Sequence, residues 1–215
     1  AFRIPARVAD VLHVVGRDVA ILAGGEAEDA VGDLGAAGIV DDAVEDAAED
    51  LLELARLDEA RPLELADVDL SVVAHDAAMD ARAQAPDRTV TVSPDVSIVI
   101  RADNNKVHQV VTNLVGNALR YTPEGSPIEL AVAVDVQTRT ASIAVIDHGE
   151  GIPEEDRSRV TERFVRLDAS RSKPGNGLGL SLVSGVMKLH KGALLLEDNQ
   201  PGLAAKLVLP LHQPA

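Results

Sequence analysis

Residues 104–122 read NNKVHQVVTNLVGNALRYT. Their apolar members, Val107, Val110, Val111, Leu114, Val115 and Ala118, recur at i, i+3, i+4, i+7, i+8 and i+11. That periodicity is one face of an α-helix and fits no strand. Beside it runs a second stripe, Asn113, Asn117, Arg120 and Tyr121, at i, i+4, i+7 and i+8. Two amides, a cation and an aromatic ring along the edge of a buried helix suit a metal–nucleotide site. They equally suit a core helix with a polar shoulder. The helix by itself leaves both open.

On either side of this helix the chain alternates between strand and helix patterns. A helix is expected over 71–83, and β-branched segments at 89–92 and 96–100 read as strands. Beyond the central helix, 127–135 and 140–147 read as strands joined by a turn near Gln137-Thr138. Residues 148–177, rich in Gly, Pro and charge, read as loop. A helix over 178–190 and strands at 193–196 and 204–209 complete the pattern. The economical arrangement is α+β, a mixed sheet covered on one face by helices.

The first sixty residues differ in character. Val8, Leu12, Val15, Val19 and Leu22 are spaced 4-3-4-3, a coiled-coil seam. A glycine-rich stretch (Gly24, Gly25, Gly32, Gly35, Gly38) holds a turn, and a second helical pattern runs from Ile39 to Leu57. Arg61-Pro62 ends it, because proline disfavours helical geometry in the residue before it. Two short amphipathic helices bury little alone. Pairing of two copies into a dimeric four-helix bundle completes them, with packing on the rest of the same chain as the alternative. The expected domains are therefore 1–64, a helical hairpin, and 65–215, an α/β sandwich.

Composition narrows the function. The 215 residues are 46% hydrophobic but 1% aromatic, so the core is built from Val, Leu, Ile and Ala. A formal charge of −15 argues against nucleic acid or an anionic membrane as partner. The absence of cysteine excludes disulfides, thiolate chemistry and zinc–cysteine sites, and fits a reducing compartment. No apolar run of about 18 residues and no signal peptide appears, so this segment is expected to be soluble. Its abrupt start at Ala1-Phe2 reads as a piece cut from a longer chain.

Three stretches downstream of the central helix carry possible chemistry. Asp147-His148-Gly149-Glu150-Gly151-Ile152-Pro153 closes a strand. An aspartate there can accept a hydrogen bond from an exocyclic amine, and the glycines let backbone pass close to a flat ligand. A plain strand-exit turn explains the same residues. Arg163-Phe164-Val165-Arg166-Leu167-Asp168, with Arg171 and Lys173, is a basic loop in an acidic protein. It suits phosphate contact or is a solvated charge run. Gly175-Asn176-Gly177-Leu178-Gly179-Leu180 opens a helix whose unpaired N–H groups can hold an anion. No G-K-[ST] follows, so it is not a P-loop, and its place late in the chain excludes the Rossmann fingerprint.

In order and spacing, Asn113…Asn117, DxGxG, the Phe-containing loop and GxGLGL closely resemble the N, G1, F and G2 boxes of the sensor histidine kinase ATP-binding domain. That domain belongs to a superfamily shared with DNA gyrase, a heat-shock chaperone and the mismatch-repair ATPase. The resemblance covers residues 65–211. It implies ATP and Mg²⁺ as ligands, with Asn117 holding the metal and Asn113 near metal and phosphates. Arg120 would reach phosphate and the Tyr121 ring would lie beside the nucleotide. Asp147 would bind the adenine amine, with Gly149, Gly151 and Ile152 shaping the base pocket. Residues 154–177 would form a lid over the triphosphate, carrying Phe164 and the cations Arg166, Arg171 and Lys173. Gly175, Gly177, Leu178, Gly179 and Leu180 would wrap the phosphates. One departure is that Gly202 is followed by Leu203-Ala204 where the family often has a threonine, which removes a hydroxyl near the adenine.

The superfamily's hydrolases carry a water-activating glutamate four residues before the metal-binding asparagine. Here that position is Asn113, an amide that takes no proton at neutral pH. Transfer to a protein side chain is therefore expected rather than transfer to water. In the family the acceptor is a histidine on the dimerising hairpin. Ala9-Asp10-Val11 and His13 match that segment, whereas Val14, Arg17 and Asp18 replace its acidic, Thr/Asn and Pro positions. The expectation is thus the cytoplasmic core of a homodimeric sensor histidine kinase whose parent chain is membrane-anchored. It would autophosphorylate at His13 and pass phosphate to a response-regulator receiver aspartate. The alternatives are a nucleotide-binding pseudokinase signalling by conformation, motivated by the altered residues after His13, and a gyrase- or chaperone-type ATP hydrolase.

Overall fold

A computed structural model describes residues 62–94, 96–162, 165 and 178–211, all within the compact unit Glu49–Ala215. The predicted hairpin over 1–64, its seam and His13 lie outside the described residues, apart from 62–64.

The element order is β1 (Leu65–Asp69), α1 (Leu70–Gln84), β2 (Val90–Ser93), β3 (Val99–Asp103), α2 (Asn104–Tyr121), β4 (Ile128–Asp135), β5 (Thr140–Ile146), α3 (Gly179–Leu189), β6 (Ala193–Asp198) and β7 (Leu203–Pro210). Two single turns of 3-10 helix, Glu154–Asp156 and Arg159–Thr161, interrupt the loop after β5. The main sheet has the order β2-β4-β5-β7-β6, parallel between β2 and β4 and antiparallel elsewhere. This is the mixed α+β arrangement expected from the sequence. A separate antiparallel pair joins β1 to β3.

One face of the sheet is apolar in register. The rows Leu130–Val145–Ala205 and Val132–Ile143–Leu207 cross its three central strands, and all six residues are buried. The helices lie side by side over this face, α1 against β2 and β4, α2 between α1 and α3, and α3 against β6. On α2 the stripe Val107, Val110, Val111, Leu114, Val115 and Ala118 is the buried one. Valine costs a helix at most about 0.7 kcal/mol relative to alanine. Burying its side chain contributes about 1.5–3 kcal/mol, so packing decides the conformation.

Local chemistry sets the helix ends. Asp103 caps α2 by accepting a hydrogen bond from Lys106 N at 3.2 Å. Thr122, forced out of helical geometry by Pro123, ends it at φ −107 and ψ 154. Asp69 caps α1 through Ser71 N at 2.9 Å and Ser71 Oγ at 2.7 Å. Its carboxylate also accepts from Ser97 Oγ and from Ile98 N. These donors hold its pKa well below the usual carboxylate range, the Ser97 bond contributing most.

Two expectations shift. Strand β1 is absent from the sequence reading. The strand expected at 96–100 instead runs 99–103, because Ile98 N and O are taken by Asp69 Oδ1 and Leu70 N at the α1 cap.

Candidate nucleotide and metal site

Asn113 and Asn117 stand one turn apart on α2, half-buried beside its apolar stripe. Among the described residues, the side-chain nitrogen of Asn113 is buried with no hydrogen-bond partner. Such an orphan costs about 1–3 kcal/mol unless something else satisfies it; an acceptor such as a phosphate oxygen would do so, whereas a cation would not. The start of α3 meets Asn117: a side chain at Gly179 would place its Cβ 3.8 Å from Asn117 Nδ2. Among the described residues, no side chain caps the start of α3, whose first-turn N–H groups have no partner within the helix itself. Leu178 beneath them is buried, anchoring that end of the helix in the core. Arg120 is exposed and Tyr121 half-buried in the last turn of α2. Amide oxygens are hard donors suited to Mg²⁺, which takes few protein ligands and shares the rest with water and phosphate. The two asparagines fit that ion.

Asp147 sits where β5 ends, and its two carboxylate oxygens are used differently. Oδ1 accepts from Gly149 N at 2.9 Å and from Leu203 N at 3.2 Å. Among the described residues, Oδ2 receives no donor. The backbone is clamped as well: Asp147 N donates to Leu203 O at 2.9 Å, and Asn199 Nδ2 donates to Asp147 O at 2.8 Å. This side chain is therefore held in place with one oxygen left for a ligand N–H.

The glycines around Asp147 make room for the protein's own backbone. Gly151 has φ +72, and a Cβ there would lie 2.8 Å from Gly202 O. Gly202 has φ +119, and a Cβ there would collide with Asp147 O. Only glycine adopts these conformations at this spacing. Gly149 lies against the end of α2, with Tyr121 O and Thr122 Cγ2 at 3.0 and 3.1 Å from where its Cβ would be. Half-buried Ile152 follows, its carbonyl accepting from Arg157 Nε at 3.0 Å. A depression of 370 Å³ runs along Glu150–Glu154 to Arg157 and Asp198. His148 Nε2 and Glu129 Oε1 are 3.7 Å apart, both partly exposed, an arrangement worth little energetically.

The structure thus brings α2, the DxGxG loop and the start of α3 together. Phe164, Arg166, Arg171, Lys173, Gly175 and Gly177 lie outside the described residues, as does His13. Asn199, Thr122 and Arg88 escape a reading of the sequence. Asn199 reaches its target across 52 positions of chain, with no periodicity to announce it.

Residues 102–213 match the family model described as "Histidine kinase-, DNA gyrase B-, and HSP90-like ATPase". The chain is 42% identical over 172 residues to the probable sensor histidine kinase TcrY of Mycobacterium tuberculosis, covering 77% of this chain and 36% of that protein. Its fold is similar to that of the mycobacterial sensor histidine kinase MprB, with a TM-score of 0.59 and 30% identity, over 70% of this chain and 99% of that one. Full-length ShkA in complex with AMPPNP is similar at a TM-score of 0.66 and 28% identity, over 77% of this chain and 35% of ShkA. The chain spans about a third of the length of the curated relatives it matches.

Proposed function

The chain belongs to the family of histidine kinase-, DNA gyrase B- and HSP90-like ATPases, on its sensor histidine kinase branch, and from that premise we propose that it is the core of a two-component kinase. In this reading residues 65–215 bind ATP and Mg²⁺, and residues 1–64 form the dimerising hairpin that presents the acceptor histidine. The observation that carries it is the juxtaposition of an orphaned Asn113 amide, Asn117 against Gly179, and an Asp147 carboxylate with one oxygen committed internally and one available. The AMPPNP complex of ShkA supports ATP as the nucleotide.

Each residue's task follows from its chemistry. Asp147 Oδ2 accepts the exocyclic amine of adenine, while Gly149, Gly151 and Ile152 bound the base. Asn117 and Asn113 offer amide oxygens to Mg²⁺, which when bound neutralises charge on the phosphates. The N–H groups opening α3 and the cations of the basic loop, Arg166, Arg171 and Lys173, hold the β- and γ-phosphates. Arg120 and Tyr121 sit on the same helix edge to reach phosphate and base.

A neutral nitrogen of His13 attacks the γ-phosphorus. The N–P bond forms as the bond to the β–γ bridging oxygen breaks, and ADP leaves with that electron pair. An aspartate oxygen of a response-regulator receiver domain then replaces the histidine nitrogen at phosphorus. Asn113 carries no lone pair basic enough to activate water, which favours the side-chain acceptor over hydrolysis. Homodimerisation through the hairpin and a cytoplasmic setting complete the proposal.

Incubation with γ-labelled ATP tests it. An acid-labile, base-stable phosphoprotein is expected, lost in both His13→Ala and Asn117→Ala. Label that persists in His13→Ala would move the acceptor elsewhere. Nucleotide binding with no labelled protein would replace the kinase by a pseudokinase.

A further inference from the structure

Arg88, in the loop between α1 and β2, is buried. Among the described residues its guanidinium has no carboxylate partner. All its hydrogen bonds go to the C-terminal end of α2 and the turn beyond. Nη1 donates to Thr122 Oγ1 and to Ser126 O at 3.1 Å. Nη2 donates to Leu119 O at 2.9 Å and to Thr122 O at 3.1 Å. A cation at the negative end of the helix dipole satisfies carbonyls that the helix itself leaves open. Thr122, also buried, donates its hydroxyl to Ala118 O at 2.6 Å, so Oγ1 is held from both sides.

That arrangement bears on the nucleotide site through one contact. The Tyr121 carbonyl and the Thr122 methyl come within 3.0 and 3.1 Å of where a Cβ on Gly149 would stand, and the Gly149 N–H binds Asp147 Oδ1. With so little room between them, a shift of the end of α2 toward this loop has few ways to be taken up except at Gly149 and the carboxylate it holds. Binding geometries of this kind need to be held within about 0.5 Å. Lysine offers three donors at one point and cannot span these acceptors, whereas the planar fork of arginine can.

We propose that Arg88 is a positioning residue for the nucleobase: it fixes Thr122 against Gly149 and so sets the Asp147 carboxylate. It touches no ligand itself. The proposal rests on the adenine-nucleotide reading above and adds to it a residue outside the four sequence boxes.

Three variants of the full chain, Arg88→Lys, Thr122→Ser and the double variant, test it with Mg²⁺-ADP and Mg²⁺-GDP titrations well below the melting temperature. Thr122→Ser keeps the hydroxyl that Arg88 and Ala118 use and removes only the methyl against Gly149. Arg88→Lys is expected to weaken ADP binding about 5–10-fold and Thr122→Ser about 3–5-fold, with Tm nearly unchanged in Thr122→Ser. The ADP-over-GDP preference should fall in both. The double variant should lose less than the product of the two, because the residues act in series. A folded Arg88→Lys with lowered Tm but ADP affinity and base preference within about twofold of wild type would reduce Arg88 to a helix cap. If Arg88→Lys does not fold, Thr122→Ser alone decides, and unchanged ADP affinity there overturns the proposal. Failure of the wild type to bind ADP would instead remove the underlying nucleotide reading.

Discussion

Asp147 commits one carboxylate oxygen to the fold and, among the described residues, leaves the other without a donor, which is the oxygen the proposed function gives to the ligand. Gly149 N and Leu203 N hold Oδ1, so Oδ2 is aimed by the backbone rather than by the side chain's own rotamer. In Asp147→Asn the amide oxygen can keep both internal bonds, which puts the NH₂ where Oδ2 was. A ligand amine then meets a donor instead of an acceptor. A hydrogen bond to a charged group is worth about 1.5–3 kcal/mol, so ADP affinity should fall roughly 10- to 100-fold. Thermal stability should move by less than about 1 kcal/mol, because the internal bonds survive. Titration calorimetry and a melting curve check this together, and affinity within threefold of wild type would take the base off Asp147. Asp147 is legible in the sequence as an acid at a strand end before glycines. What aims it is not. Asn199 and Leu203 act from a hairpin more than fifty positions away, and nothing short-range marks Asn199 as anything but a turn residue. By sequence, Gly149 and Gly151 make room for a flat ligand. At Gly151 the space a side chain would take faces the Gly202 carbonyl, and Gly202 in turn faces that of Asp147.

At the scale of elements, α2 and α3 are joined at the end away from Arg88 by His190. Its ring is fully buried, with Nε2 accepting from Asp103 N at 3.0 Å and Nδ1 against Val186 O at 2.9 Å. Those partners fit the neutral ring with its proton on Nδ1. Burial pushes the imidazole below its ordinary value of 6.5, against the raising effects of the Val186 bond and the Asp103 charge. Below pH 6.5 the unfolded chain therefore binds more protons than the folded one. The stabilisation is complete above that pH and declines as pH falls toward the lowered folded value. Urea unfolding at pH 7.5 and 5.5 should show this loss, and His190→Gln should flatten it. His190→Ala should cost about 2–4 kcal/mol at neutral pH, from the cavity and the unmet Asp103 N–H. Just beyond, Lys191 takes φ 56 in a turn closed by Gly192 N to Met187 O at 2.8 Å. Lys191→Gly relieves a left-handed lysine at some entropic cost and should stabilise by about 0.5–1 kcal/mol, read as a rise in Tm. Gly192 must stay glycine, since a Cβ there would collide with Val208 O. Elements of this length announce themselves by period: α2 is expected over 104–122 and found over 104–121. Strand β1 does not, because only Val68 of LADVD is buried and five residues carry too little alternation.

For the whole molecule, the net charge of −15 decides how an anionic nucleotide arrives. In the proposed reading the cations of the basic loop, Arg166, Arg171 and Lys173, attract phosphate locally, while the chain as a whole, at a net −15, repels it. Range separates the two effects. At about 0.01 M salt the Debye length is about 30 Å, so the nucleotide feels the net negative field of the whole protein. At about 0.15 M it is about 8 Å, and only groups lining the site are felt. Screening thus removes the repulsion before it removes the local attraction. The association rate constant for a fluorescent ATP analogue with Mg²⁺ should therefore rise as salt increases from about 0.01 to 0.15 M, the reverse of a basic phosphate-binding protein. If, as proposed, short-range contacts at Asp147, Asn117 and the start of α3 set the dissociation rate, it should change little over the same range. Stopped-flow traces at several salt concentrations separate the two rates. An association rate that falls steadily with salt would mean that the cations of 163–173 govern the approach despite the acidity of the chain, and neutralising Arg166, Arg171 and Lys173 together should then reverse the slope.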